Sequence, residues 1–267
     1  MNVLEVNDLS VRLGDKVLVD HASFSVSEGE CLGILGESGS GKSMSMKAIM
    51  GLLDKQFEVS GSAIFNGRDL LSESRENMRK LRGKDICMVL QNPMTCFDPL
   101  YRIGNQMAKT FSCHLDMTKA EIYQTSIEIL EKMHIDNPEE VLEKYPHQLS
   151  GGMLQRIMIG LALAFKPKLL IADEPTTAID AITQHDILEA FMDIRKKHNT
   201  SMVFITHDLG AISKVADRII VMNDGRIVDR GDLDFIIHHA DDEYTRLLIE
   251  KRNAVMTKYE SVLRSSL

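Results

Sequence analysis

Short apolar runs separated by charged or glycine-rich turns set the pattern of this chain. Cys31 to Leu35, Met88 to Leu90, Leu169 to Ala172 and Met202 to Thr206 are almost continuously apolar, as expected of strands buried on both faces. Val59 to Phe65 reads as a strand that turns at Asn66-Gly67. The stretch from Met44 to Leu53, Lys119 to Met133, and Gly152 to Phe165 read as helices, the second of them amphipathic. These elements predict an α/β core over about residues 1–90 and 167–231. A helical lobe is expected over about residues 91–166, and a mostly helical end over about 232–267.

Composition narrows the class. Of 267 residues, 44% are hydrophobic and 26% charged, enough for a large core and against disorder. A net charge of −8 argues against a nucleic-acid binder that relies on a basic surface. No apolar run approaches the about 20 residues that cross a bilayer, and Met1-Asn2-Val3-Leu4-Glu5 does not read as a signal peptide. A cytoplasmic location is therefore expected. The four cysteines form no C-x-x-C pair, so neither a zinc nor an iron–sulfur site is expected. His238-His239 reads as a solvated surface pair, and several of the sixteen methionines read as core filler.

Chemistry concentrates in the loops that follow the apolar runs. Gly36-Glu37-Ser38-Gly39-Ser40-Gly41-Lys42-Ser43 lies between a strand and a helix. Its glycines permit backbone angles that turn N–H groups inward toward phosphate oxygens. Lys42 supplies charge to the β- and γ-phosphates, Ser43 a hydroxyl to Mg²⁺, and the helix from Met44 a positive end. Asp173-Glu174 ends another apolar run. Asp173 suits a Mg²⁺ ligand and Glu174 a base for the attacking water. As neighbours on a strand they are expected to point to opposite sides. Gln91 follows a strand end and can reach metal and water. His207 follows another; it contacts the γ-phosphate, holds Glu174, or only caps or fills core. Asp180 is a helix N-cap or an inter-subunit contact. Leu149-Ser150-Gly151-Gly152 opens a helix in a manner that suits an anion.

Taken in order, Gly36–Ser43, Gln91, Ser150-Gly151-Gly152 with Gln155, Asp173-Glu174, Asp180 and His207 resemble the ATP-binding subunit of an ABC transporter. The likeness covers nearly the whole chain. It implies a P-loop NTPase fold with a mixed and parallel sheet, an inserted helical signature lobe and antiparallel N-terminal strands, in one cassette over residues 1–267. It also implies ATP and Mg²⁺, with Ser43, Gln91 and Asp173 at the metal and Glu174, His207 and Gln91 at the reaction. The implied partners are a second ATPase subunit, two transmembrane permease subunits and, indirectly, an extracytoplasmic substrate-binding protein. In such a pair Ser150, Gly151 and Gly152 face the other subunit's γ-phosphate, and about Met94 to Ile103 receives the membrane partner. The family's adenine-stacking aromatic is replaced by Leu13, which loses a π-face worth about 1–3 kcal/mol. A soluble ABC ATPase of repair or translation and an ATP-holding regulatory module are other readings. Single-cassette length opposes the first, and the intact Glu174 and His207 oppose the second.

Gln91-Asn92-Pro93-Met94-Thr95, Phe97-Asp98-Pro99, Ile103-Gly104 and Tyr244-Thr245-Arg246-Leu247-Leu248 resemble the peptide/nickel importer branch. Ser150-Gly151-Gly152-Met153-Leu154-Gln155-Arg156 is similar to the branch's nickel member, because oligopeptide members more often carry Arg at Leu154. The resemblance thus implies import of nickel or a metal chelate, with di- or oligopeptide import as the alternative.

Overall fold

The structure, a computed structural model, describes residues 1–177 and 179–251. Among the described residues, ten strands run in chain order: β1 Asn2–Leu13, β2 Lys16–Ser27, β3 Cys31–Leu35, β4 Phe57–Phe65, β5 Arg68–Asp69, β6 Ile86–Val89, β7 Leu169–Asp173, β8 Ser201–Thr206, β9 Arg218–Asn223 and β10 Arg226–Gly231. One sheet is antiparallel with order β2-β1-β4-β5; the other has order β10-β9-β3-β8-β7-β6. In the second, β6, β7, β8, β3 and β9 are parallel, and β10 pairs antiparallel to β9 at one edge. The helices are α1 Lys42–Ile49, α2 Arg75–Leu81, α3 Ile103–His114, α4 Lys119–Lys132, α5 Pro138–Glu143, α6 Gly151–Ala164, α7 Ala181–His198, α8 Leu209–Val215 and α9 Leu233–His238. Residues 243–251 are also helical, while residues 252–267, the remainder of the expected helical end, lie outside the described residues, as does Ala178. The α/β architecture with mixed sheets agrees with the sequence.

The apolar runs work because alternate residues serve two cores. Leu32 and Ile34 of β3, Leu169 and Ile171 of β7, and Val203 and Ile205 of β8 face a core shared with the antiparallel sheet and α1. Cys31 and Leu35, Leu170 and Ala172, and Met202 and Phe204 face a core shared with the helices α3–α8. Both sides of the parallel sheet are thus dry, and no polar alternation is possible along these strands. Cys31 and Cys87 are buried there, and burial pushes the Cys87 thiol up to about 12.

Element ends follow local chemistry. Thr118 caps α4 with a reciprocal Glu121 bond, and Ser150 caps α6 by accepting the Met153 N–H at 3.2 Å. That cap places the start of α6 at Gly151, one residue before the expected Gly152. β4 begins two residues earlier than its pattern suggests, because Phe57 and Glu58 pair with Leu13 and Arg12 of β1. Asn66 and Gly67 both take positive φ, 46° and 79°, as a tight hairpin turn requires.

Gly33 shows how closely α8 approaches the sheet. A Cβ on it would meet Ile212 Cδ1 at 2.5 Å and Ala216 Cβ at 3.0 Å. Ile212 is fully buried and has no room to move. Gly33→Ala is expected to destabilise the fold by about 1–3 kcal/mol, read as a lower urea midpoint at unchanged slope.

Candidate active site

In the sheet order β3-β8-β7 the three strands are neighbours and parallel. Their C-terminal ends therefore lie along one edge, and the loops leaving them converge. The loop after β3 is drawn tightly against the rest of the molecule. Gly41, at φ 100°, lies where a Cβ would meet the Leu18 carbonyl at 2.9 Å, and one on Gly36 would meet the Met222 carbonyl at 2.3 Å. Lys42 is only 5% exposed. Its Nζ donates to the Gly36 and Glu37 carbonyls, each at 2.7 Å. Burial pushes its pKa below the ordinary lysine value, against the attraction of Glu174 and Asp173.

Across from this loop, the Ser43 hydroxyl donates to Asp173 Oδ1 at 2.6 Å, joining α1 to the end of β7. Burial raises the Asp173 pKa, and the Ser43 bond and the Lys47 charge oppose the rise. A hydroxyl and a carboxylate in contact form a hard oxygen donor set, which fits Mg²⁺ rather than a soft metal. The buried Lys42 ammonium, in a glycine-rich loop at the start of α1, fits a phosphate anion.

Glu174 follows β7 directly, yet it does not continue the strand. Its φ is 48°, a left-handed value uncommon for a residue with a Cβ. Its N–H still donates to the Ile205 carbonyl of β8 at 2.9 Å. The two acids have separate partners, and at Glu174 a left-handed backbone interrupts the strand alternation expected to separate them. Glu174 is 7% exposed, and both its oxygens have partners. Oε1 lies 2.8 Å from His207 Nδ1; Oε2 accepts from Thr177 Oγ1 at 3.1 Å and from Thr206 Oγ1 at 3.4 Å. Facing a carboxylate, Nδ1 must carry the proton, which leaves Nε2 on the solvent side. Of the readings open for His207, the one in which it holds Glu174 has this contact behind it. The two threonines were not singled out from sequence; the only signal was their position, one three residues after Glu174 and one before His207.

The remaining candidates are distributed around this centre. Gln91 is exposed just past β6, the strand beside β7. Glu37, Ser38 and Gly39 are exposed on the loop, Ser40 is buried, and Met44 is half-buried in α1. Leu13 ends β1 at 38% exposure, opposite Phe57 and Lys16. Asp180 accepts the Thr183 N–H at 3.0 Å and is the N-cap of α7. Ser150 and Gly151 are exposed, and nothing stands within 4 Å of a Cβ built on Gly151. Among the described residues no hydrogen bond joins Ser150, Gly151 or Gly152 to the phosphate loop. Gln155 departs from its expected place beside a nucleotide. It is 1% exposed, and its Nε2 donates to the Pro175 carbonyl at 3.0 Å and to that of Leu90 at 3.4 Å. One side chain thus ties α6 to the segments that carry Glu174 and Gln91.

Asp173 gives the site a measurable cost. A carboxyl whose folded pKa is raised binds more protons folded than unfolded, so its contribution to stability falls as pH rises through that interval. Without nucleotide or divalent cations, Asp173→Asn is expected to melt above the parent chain at pH 8. The gap should close as the pH drops below the ordinary aspartate value, checked by calorimetry across pH.

The comparisons agree with this geometry. The family model described as ABC transporter matches residues 19–177. The chain is 45% identical over 99% of its length to a metal-staphylopine import system ATP-binding protein of Staphylococcus aureus, covering 98% of that protein. It is 44% identical to a dipeptide transport ATP-binding protein of Escherichia coli, over 93% of this chain and 78% of that one. Among solved structures, an ATP binding subunit of an ABC transporter superposes with a TM-score of 0.76 at 26% identity, covering 92% of this chain and 99% of that chain. A dimeric ATP-binding cassette in a post-hydrolysis state with ADP and Pi shares the fold, with a TM-score of 0.78 at 24% identity over 86% of this chain and 98% of that chain. With β3, β7 and β8 presenting a glycine-rich loop with a buried lysine, two acids and a histidine at one edge, the chain belongs to the ABC transporter family, as an ATP-hydrolysing subunit of its importers.

Proposed function

We propose that this chain powers uptake of a chelated metal ion, nickel being the narrower case, by cleaving ATP between two cassettes. The observation that carries the cargo is the 45% identity to the metal-staphylopine import protein, which spans 99% of this chain and 98% of that one. Import of a di- or oligopeptide is the second reading, favoured by the 44% identity to the dipeptide transport protein. Leu154, which suggested the nickel member, is fully buried in the helical core. It is a packing residue, so it does not itself read cargo.

Lys42 and the loop amides hold the β- and γ-phosphates, and Leu13 offers the adenine an aliphatic contact in place of a ring. Ser43, Asp173 and Gln91 would hold Mg²⁺, which when bound neutralises charge on the phosphate oxygens. Glu174 accepts a proton from the attacking water, and its turned backbone and bond to His207 fix where that carboxylate points. The solvent-side Nε2 of His207 is the group nearest in role to a γ-phosphate contact.

The second subunit, identical or related, supplies what one chain lacks. Ser150 uses a lone pair to cap α6, and its O–H hydrogen stays available for another acceptor. Together with the N–H groups of Gly151 and Gly152 it would complete the phosphate contacts of the facing cassette. Asp180, exposed at the N-cap of α7, supplies a further inter-subunit contact in this arrangement. The permease partner is read from Met94, Leu100 and Tyr101, which are 49%, 78% and 56% exposed on the segment between β6 and α3. Among the described residues no helix is long and apolar enough to cross a membrane. The names of its relatives, ATP-binding proteins of a metal-staphylopine import system and of dipeptide transport, support a peripheral place at the cytoplasmic face beside two permease subunits, with the cargo delivered by an extracytoplasmic binding protein.

Glu174→Gln should reduce phosphate release by about 10²–10⁴-fold while leaving ATP binding intact. Equal rates in a steady-state phosphate assay would remove Glu174 from the role of base. For the cargo, a strain lacking this chain should lose uptake of chelated radioactive nickel or another chelated transition metal and retain dipeptide uptake. The reverse pattern would move the assignment to peptides.

A further inference from the structure

Tyr244 opens the motif that tied this chain to its importer branch, and ATP cleavage as described above gives it no part. The structure places it against the phosphate loop. Its support is rigid: the buried Asp229 carboxylate of β10 accepts the N–H groups of Asp241 and Asp242 at 3.1 and 3.2 Å. Asp242 in turn accepts the Tyr244 N–H at 2.8 Å, and Ile249 of the same helical segment is packed into the core. From this seat Tyr244 Oη accepts the N–H of Glu37 at 2.8 Å.

That N–H shares a peptide group with the Gly36 carbonyl, which accepts from Lys42 Nζ at 2.7 Å. A single peptide plane is thus held at both ends, by a phenol on one side and by the phosphate-binding ammonium on the other. Bonds in series through one amide polarise it and strengthen each other. The plane has little freedom on its remaining side, because a Cβ on Gly36 would already touch the Met222 carbonyl. Burial raises the Tyr244 pKa, so the phenol stays neutral and keeps a proton of its own while accepting.

We propose that Tyr244 is a positioning residue for nucleotide binding: it orients the Gly36–Glu37 peptide and through it sets Lys42 before the phosphates arrive. The C-terminal helical segment is then a brace of the phosphate loop, and the ordering cost of that loop is met in folding rather than in binding. The exposed pair between Lys251 and the Glu37 carboxylate, 3.2 Å, adds little to this. The inference rests on the reading of Gly36–Ser43 as the phosphate site.

The test uses the full chain with Tyr244→Phe, which deletes only the hydroxyl, and with Lys42→Ala. Tyr244→Phe should weaken ATP binding, as Kd by calorimetry and as KM, by about three- to tenfold, the worth of one neutral hydrogen bond, with kcat within twofold. By NMR, the Glu37 amide should exchange with solvent at least about tenfold faster, measured against Ile34 of β3 so that any general loss of stability cancels. Unchanged or tighter ATP binding, a fall in kcat alone, or a Glu37 amide as protected as in the parent would overturn the role. Lys42→Ala separates the two readings. If it binds ATP like the parent, the loop is not the phosphate site; if it loses binding while Tyr244→Phe changes nothing, only the brace falls.

Discussion

A cation with almost no water around it organises this molecule. The Lys42 ammonium rests on two backbone carbonyls of its own loop, with the Asp173 and Glu174 carboxylates close enough to attract it. Removing a charge from water is expensive unless partners surround it. Every strand that supplies those partners must therefore end at the same edge. The parallel order β3-β8-β7 meets that requirement, with the loop of Gly36–Ser43 after β3, His207 after β8 and the acidic pair after β7.

The sheet can hold such a site because it is buried on both faces. Alternate residues of each central strand enter different cores, so neither face can slide without breaking the other. Against this rigid base the helices α3–α6 are joined to the site by few polar contacts. Gln155 makes two of them, to the carbonyls of Leu90 and Pro175. Leu90 and Pro175 adjoin Gln91 and Glu174 in the chain, so this one buried amide bonds α6 to both segments, beside the apolar packing they share. Glu174 itself stands in a left-handed turn with both oxygens bonded, a conformation of the sparsely populated kind that persists where surroundings over-determine it.

Much of this was legible in the chain. Apolar runs marked β3, β7 and β8 almost to the residue, since a strand buried on both faces leaves a continuous signature. The loop Gly36–Ser43, proposed above as the phosphate site, was legible because its glycines, lysine and serine each suit a separate physical requirement. Less visible were elements whose signal is shared with partners. The first residues of β4 are polar or half-exposed and become strand only by pairing with β1. Gln155 reads as a nucleotide contact from its motif, whereas packing turns it inward onto the Pro175 and Leu90 carbonyls. Tyr244 lies 207 residues from Glu37, a separation at which no local pattern can announce a hydrogen bond.

By itself the sequence determined which residue types stand at the ends of which strands, and hence that a triphosphate is bound and cleaved. That information is local: spacing, glycine tolerance and apolar runs act over a few residues. Tertiary structure alone decided which of these residues touch. It paired Glu174 with His207 and Thr206, Ser43 with Asp173, and the Gly36–Glu37 peptide with Tyr244. Such contacts depend on strand order and on the angle at which distant segments pack, quantities that are set by burial over the whole chain.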